Sequence, residues 1–189
     1  GRPVIALLPG SRRQEVERML PVMLAAAAGF TDHQCVVAAA PALDDAVYAP
    51  FLRKSPALVV RDHTYALLRQ ARAALVTSGT ATLETALFGV PEVVCYGGSA
   101  VNVWLARRLV NVRFISLVNL IMEREVVREM IQQDLTPEAL SAELRRLLHD
   151  EPYRAAMLAD LARLRERLGG PGASAKAAAR LWKILERPS

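Results

Sequence analysis

The sequence is poor in the residues that support several common chemistries. It has two cysteines and three histidines in 189 residues. Cys35 and Cys95 each lie in an apolar run, Cys-Val-Val-Ala and Val-Val-Cys-Tyr, and read as small buried strand residues. His33, His63 and His149 have no metal-ligand spacing. Neither a disulfide framework nor a metal cluster is suggested. The expected metal and cofactor complement is therefore none, and the expected compartment is the reducing cytoplasm. Aromatic residues make up only 5% of the chain. With so few rings to stack on bases and arginines scattered over several helices, a nucleic-acid partner is not expected. The longest nearly apolar run, Leu20 to Phe30, contains Pro21 and is shorter than the roughly 20 residues of a membrane span. Gly1-Arg2-Pro3 followed by a strand-like run does not read as a secretory leader. Lysine is nearly missing: Lys54, Lys176 and Lys183 are all there is, so arginine carries the net charge of +5. The guanidinium fork suits phosphate. A GC-rich genome, which also favours alanine, is the better account of most of these arginines.

What is present is apolar and periodic. Hydrophobic residues make up 52% of the chain, which excludes disorder. The length suits one domain, or one and a half. Short β-type runs alternate with helical ones. Strands are expected at 4–8, 34–39, 58–60, 74–77, 92–96 and 114–116. Helices are expected at 13–30, 44–52, 65–71, 81–88 and 102–110. Beyond about residue 124 only helices are expected, at 125–133, 137–149, 152–168 and 173–186, with no further strand. Nearly continuous apolar strands alternating with helices give an α/β fold, a Rossmann-like parallel sheet with helices on both faces and a helical C-terminal tail. No internal repeat is visible. The domain is expected to span 1–168, with 169–189 as a tail helix.

In an open parallel sheet, ligands bind beyond the carboxyl ends of the strands. After the first strand comes Leu8-Pro9-Gly10-Ser11-Arg12-Arg13, a glycine turn opening a helix. Free amides at a helix N-terminus favour an anion. Ser11 as a plain cap with Arg12 and Arg13 solvated fits as well. After the fourth strand comes Thr77-Ser78-Gly79-Thr80-Ala81-Thr82-Leu83-Glu84, a hydroxyl-rich turn of the same kind. Glu84 there could accept two ribose hydroxyls, or merely complement the helix dipole. Two such turns on one sheet edge favour a nucleotide. Asn119 is a polar residue in the apolar stretch Ser116-Leu117-Val118-Asn119-Leu120-Ile121. It needs partners if buried, and a turn-forming role is the alternative.

Leu-Pro-Gly-Ser-Arg, Ser-Gly-Thr-Ala-Thr-Leu-Glu, and Ser-Leu-Val-Asn-Leu-Ile ahead of Arg-Glu-Val-Val together resemble the lipid-A-disaccharide synthase family. The resemblance covers essentially the whole chain, but only the C-terminal half of that enzyme. It implies the donor-binding domain of a GT-B glycosyltransferase, joining UDP-2,3-diacylglucosamine to 2,3-diacylglucosamine 1-phosphate by inverting, metal-independent transfer. It implies that Gly10, Ser11 and Arg12 meet the donor phosphates, and that Ser78, Gly79 and Thr80 cradle the diphosphate. Glu84 would hold the ribose, and Asn119 would place the donor. Arg124 would complete the donor set, with Arg12 and Asn119 as the catalytic pair. The general base belongs to the family's other domain, so the chain alone is expected to bind UDP weakly without turnover. The acylated acceptor would bind through that other domain. The setting implied is the cytoplasmic face of a Gram-negative inner membrane.

Three positions depart from the family pattern. Tyr96 is followed by Gly97-Gly98 where Tyr-Arg is common, removing a phosphate or sugar contact. Glu123 stands where glycine is common, which would put a carboxylate near the diphosphate. Arg128 stands where proline is frequent. Another UDP-N-acetylglucosamine-using transferase or epimerase, or a non-catalytic nucleotide-binding module, would fit the Ser-Gly-Thr…Glu turn as well. The segment 101–113 sets Val103, Trp104, Leu105 and Leu109 beside Arg107, Arg108 and Arg113. It reads as a basic helix lying on anionic lipid, or as an ordinary helix packed on the sheet. The tail helix, with Leu181, Trp182 and Leu185 on one face, would pack on a missing domain or a partner copy, favouring a homo-oligomer.

Overall fold

The structure is a computed structural model describing residues 1–97 and 114–169. The expected helices at 102–110 and 173–186 lie outside the described residues, as does the basic segment 101–113.

Six strands form one parallel sheet: β1 (Val4–Leu8), β2 (Gln34–Ala39), β3 (Leu58–Arg61), β4 (Ala71–Thr77), β5 (Glu92–Tyr96) and β6 (Arg128–Ile131). Their order across the sheet is β3-β2-β1-β4-β5-β6. The helices are α1 (Arg13–Ala27), α2 (Asp45–Leu52), α3 (Thr64–Gln70), α4 (Thr80–Leu87), α5 (Leu117–Met122), α6 (Pro137–His149) and α7 (Glu151–Arg167).

The strands are apolar on both sides because helices cover both faces. Ile5 and Leu7 join a large core with α1 and α6 residues such as Val16, Leu20, Leu140 and Leu144. Their neighbours Ala6 and Leu8 join a second core with Leu67 and Leu68 of α3. The period of two along each strand thus serves two cores at once.

The sixth strand is not where the sequence suggested. Residues 114–116 form no strand. Ser116 instead caps α5, its hydroxyl accepting from Asn119 N. The strand is β6, inside the stretch expected to be helical at 125–133. Glu, Arg, Met and Gln all favour helices in isolation. Pairing to β5 from Val93↔Arg128 through Tyr96↔Ile131 overrides that preference at the sheet edge.

Candidate functional site

β1 and β4 are neighbours, yet β1 leads to β2 on one side and β4 to β5 on the other. Chain order reverses between them, and such a sheet opens a crevice beyond the carboxyl ends at this point. Both glycine turns follow these two strands, so the fold brings residues 10–12 and 78–80 to one place.

The two turns differ. In the first, Glu15 folds back over the turn. Its Oε2 accepts from the backbone amides of Ser11 at 2.9 Å and Arg12 at 3.2 Å. Gly10 permits this: its φ is +111°, and a Cβ there would meet Glu15 Oε2 at 2.5 Å. The amides expected to receive an anion are therefore already spent on an internal carboxylate, half of a capping box. The turn still offers the Ser11 hydroxyl and the Arg12 guanidinium, whose side chain is 83% exposed and 3.7 Å from Glu15 Oε1. Arg13 is committed to Glu17 at 2.7 Å.

The second turn is open. Gly79 is the N-cap of α4 and no side chain caps it. A Cβ at Gly79 would meet nothing within 4 Å. Thr82 and Thr85 turn their hydroxyls inward, donating to Gly79 O and Ala81 O at 2.8 Å each. The Ser78 and Thr80 hydroxyls and the partly buried Glu84 carboxylate have no side-chain partner among the described residues. Thr77 Oγ1, at the end of β4, is buried without a partner. A turn with uncapped amides, spare hydroxyls and an unpaired carboxylate one helical turn away can hold a diphosphate and a diol.

The remaining expected residues are not brought to this crevice. Asn119 is fully buried. Its Nδ2 donates to Val127 O at 2.8 Å and to Glu129 Oε1 at 2.9 Å. Its Oδ1 accepts from the amides of Val126 at 2.7 Å and Val127 at 3.0 Å. Every hydrogen-bonding position of the amide is used, so it has none to give a donor. Asn119 ties α5 to the amino end of β6. Arg124 lies on that same side and pairs with Asp160 of α7, which also holds Arg163. Arg124 is thus a packing contact between α7 and the loop after α5. Glu123 is the left-handed C-cap of α5, with φ 58° and ψ 21°. It sits ahead of β6, on the amino side, so it does not approach the diphosphate turn. A glycine at this position would meet the same backbone need.

Arg18 and Gln132 escaped the sequence reading, although Gly97 after the fifth strand was their signal. Arg18 on α1 packs its stem where a side chain at position 97 would stand. Gln132 follows β6 directly in a left-handed conformation, φ 51°.

Known proteins resemble the chain in sequence and in fold. The family profile described as lipid-A-disaccharide synthetase matches residues 1–181. The lipid-A-disaccharide synthase of Trichlorobacter lovleyi is 40% identical over 98% of this chain and 50% of its own length. That of Anaeromyxobacter dehalogenans strain 2CP-C is 41% identical over 97% of this chain and 50% of its own. The chain thus spans about half the length of these curated relatives. Among solved structures, the calicheamicin glycosyltransferase CalG4 superposes with a TM-score of 0.66 at 23% identity, covering 99% of this chain and 43% of CalG4. A Listeria monocytogenes protein described as a UDP-N-acetylglucosamine 2-epimerase gives 0.66 at 17% identity, covering 100% and 47%. At these identities the likeness is one of fold, the Rossmann-like half of the GT-B architecture. With its family profile matched over nearly all its length, the chain belongs to the lipid-A-disaccharide synthetase family.

Proposed function

We propose that residues 1–168 form the donor-binding domain of a glycosyltransferase joining UDP-2,3-diacylglucosamine to 2,3-diacylglucosamine 1-phosphate. The observation that carries this reading is the uncapped Ser78–Gly79–Thr80 turn at the switch point, with Glu84 unpaired behind it. The turn amides and hydroxyls take the diphosphate, and Glu84 takes the ribose diol. Arg12 reaches over from the facing turn and neutralises charge on the departing UDP, as an electrostatic stabiliser positioned before the reaction. The acceptor hydroxyl attacks the opposite face of the anomeric carbon. Its base and the acceptor pocket come from the part of the relatives that this chain does not span. The setting is the cytoplasmic face of a membrane, where the acylated substrates reside. No described helix is long and apolar enough to cross one.

Calorimetric titration of the chain with UDP tests the reading. Glu84→Ala weakens UDP about tenfold, the scale of a lost hydrogen-bonded carboxylate, and leaves the melting temperature unchanged. Equal UDP affinity in both proteins defeats the assignment. The chain alone shows no transfer, and measured turnover by it defeats the division of labour.

A further inference from the structure

A second polar site lies on the same edge of the sheet, between α1 and the ends of β5 and β6. A cavity of about 430 Å³ opens there, lined by Arg18, Met19, Val22, Gly97, Gln132 and Leu135, with Gln133 beside them. Gly97 is the first residue after β5, and Gln132 the first after β6. Both therefore stand on the carboxyl edge that carries the two glycine turns.

Three observations give this cavity a chemistry. The absence of a side chain at Gly97 lets α1 close on its rim: a Cβ there would clash with Met19 Cε and come within 2.7 Å of Arg18 Cδ. The Arg18 stem lies in that space, and its guanidinium has no hydrogen-bond or ion-pair partner among the described residues. Several other arginines of this fold are committed. Arg13 pairs with Glu17, Arg61 with Asp45, and Arg124 with Asp160. Gln132 supplies the third observation. Its Nε2 is a buried donor with no partner among the described residues, carried on a left-handed non-glycine residue. A buried orphan donor is costly, and strained backbone gathers at binding sites. Arg18 and Gln132, one with a free cation and one with a free amide donor among the described residues, line the same cavity, and the described lining contains no carboxylate.

We propose that this cavity is a phosphate subsite, with Arg18 as its anion-binding side chain and Gln132 as its neutral donor. A guanidinium fork and an amide N–H match phosphate oxygens. Arg18 delivers from α1 the cation that a residue at position 97 cannot. Two phosphates could be the guest: the diphosphate of the nucleotide, or the 1-phosphate of a hexosamine. The identity of that guest rests on the donor-site reading above; the subsite itself does not.

The test is calorimetric titration of the 189-residue chain and its Arg18→Ala and Arg18→Lys variants. The probes are UDP, uridine, glucosamine 1-phosphate and inorganic pyrophosphate. Arg18 is exposed on a helix and alanine is a good helix former, so the fold survives. Arg18→Ala weakens a phosphorylated probe about tenfold, Arg18→Lys restores part of the loss, and uridine is unaffected. Weakened UDP assigns the subsite to the nucleotide diphosphate. Weakened glucosamine 1-phosphate with UDP unchanged assigns it to the hexosamine. Binding of pyrophosphate or glucosamine 1-phosphate through Arg18 by a chain that ignores UDP keeps the subsite and sinks the donor-site reading. UDP binding that depends on Glu84 but not on Arg18, with the other two phosphates also indifferent to Arg18, overturns the subsite and keeps that reading. A wild-type chain that takes up no phosphate probe overturns both.

Discussion

Two groups of polar residues sit at opposite edges of the same sheet, and they are built in opposite ways. At the amino end of β6, Asn119, Ser116, Glu129 and the amides of Ile115, Val126 and Val127 close on one another. Glu129 alone accepts from Ile115, Ser116 and Asn119. At the carboxyl ends of β4, β5 and β6, Thr77, Ser78, Thr80, Glu84, Arg18 and Gln132 leave polar atoms unspent. A closed network adds to stability and has nothing left for a ligand. An open set adds little to stability and keeps its capacity for a guest. Residue type does not separate the two groups; hydrogen-bond accounting does.

Asn119→Ala should have the largest effect, because it removes a side-chain partner from the buried amides of Val126 and Val127 and from the Val127 carbonyl. The cost is on the order of 3 kcal/mol, a fall in Tm of roughly 10 °C for a chain this size. The remaining folded protein keeps its UDP affinity. A melting curve and a titration check the two halves. A loss of UDP binding without a loss of stability would return Asn119 to the donor site.

Glu92 is the exception on the closed side. It opens β5, is fully buried, and neither carboxyl oxygen has a partner among the described residues. Burial pushes its pKa well above the usual carboxylate range. The folded state thus holds the proton more tightly than the unfolded chain. The stability this proton contributes is complete below about pH 4.3, the unfolded value, and is lost as pH rises toward the folded one. Glu92→Met keeps the volume and removes the charge. Its stability gain over the wild type should be larger at pH 8 than at pH 4, by about 2 kcal/mol. Denaturant melts at the two pH values measure this, and a gain independent of pH would show that Glu92 is not the titrating group.

Glu15→Ala tests the difference between the two glycine turns. Removing the carboxylate that closes the first turn costs about 1 kcal/mol of stability, the usual scale of a lost helix cap. It frees the amides of Ser11 and Arg12, so UDP affinity holds or rises. A fall in UDP affinity together with stability would mean that Glu15 organises the site and does not merely occupy it.

Sequence pattern revealed the parallel sheet and the two glycine turns after its first and fourth strands, because apolar runs and glycine turns are local signals. It did not reveal β6, whose helix-favouring residues become a strand only through β5. The family resemblance set Asn119 and Arg124 with the donor, and motif order carries no information about which edge a residue faces. It also left Arg18 unassigned among many arginines. Its stem packs against Gly97, a contact between residues far apart in sequence.

Glu123→Gly carries the smallest expected effect and bears on the closed edge alone. Glu123 ends α5 at φ 58°, a conformation that disfavours every side chain with a Cβ and that glycine adopts freely. Its carboxylate forms no ion pair among the described residues. Glycine relieves the left-handed strain but adds entropy to the unfolded chain, so the net gain is only about 0.5 kcal/mol. A small rise in Tm with unchanged UDP affinity is the expected result. If UDP binding tightened instead, the Glu123 carboxylate would have to reach the diphosphate, and the separation between the closed and open edges would fail at that residue.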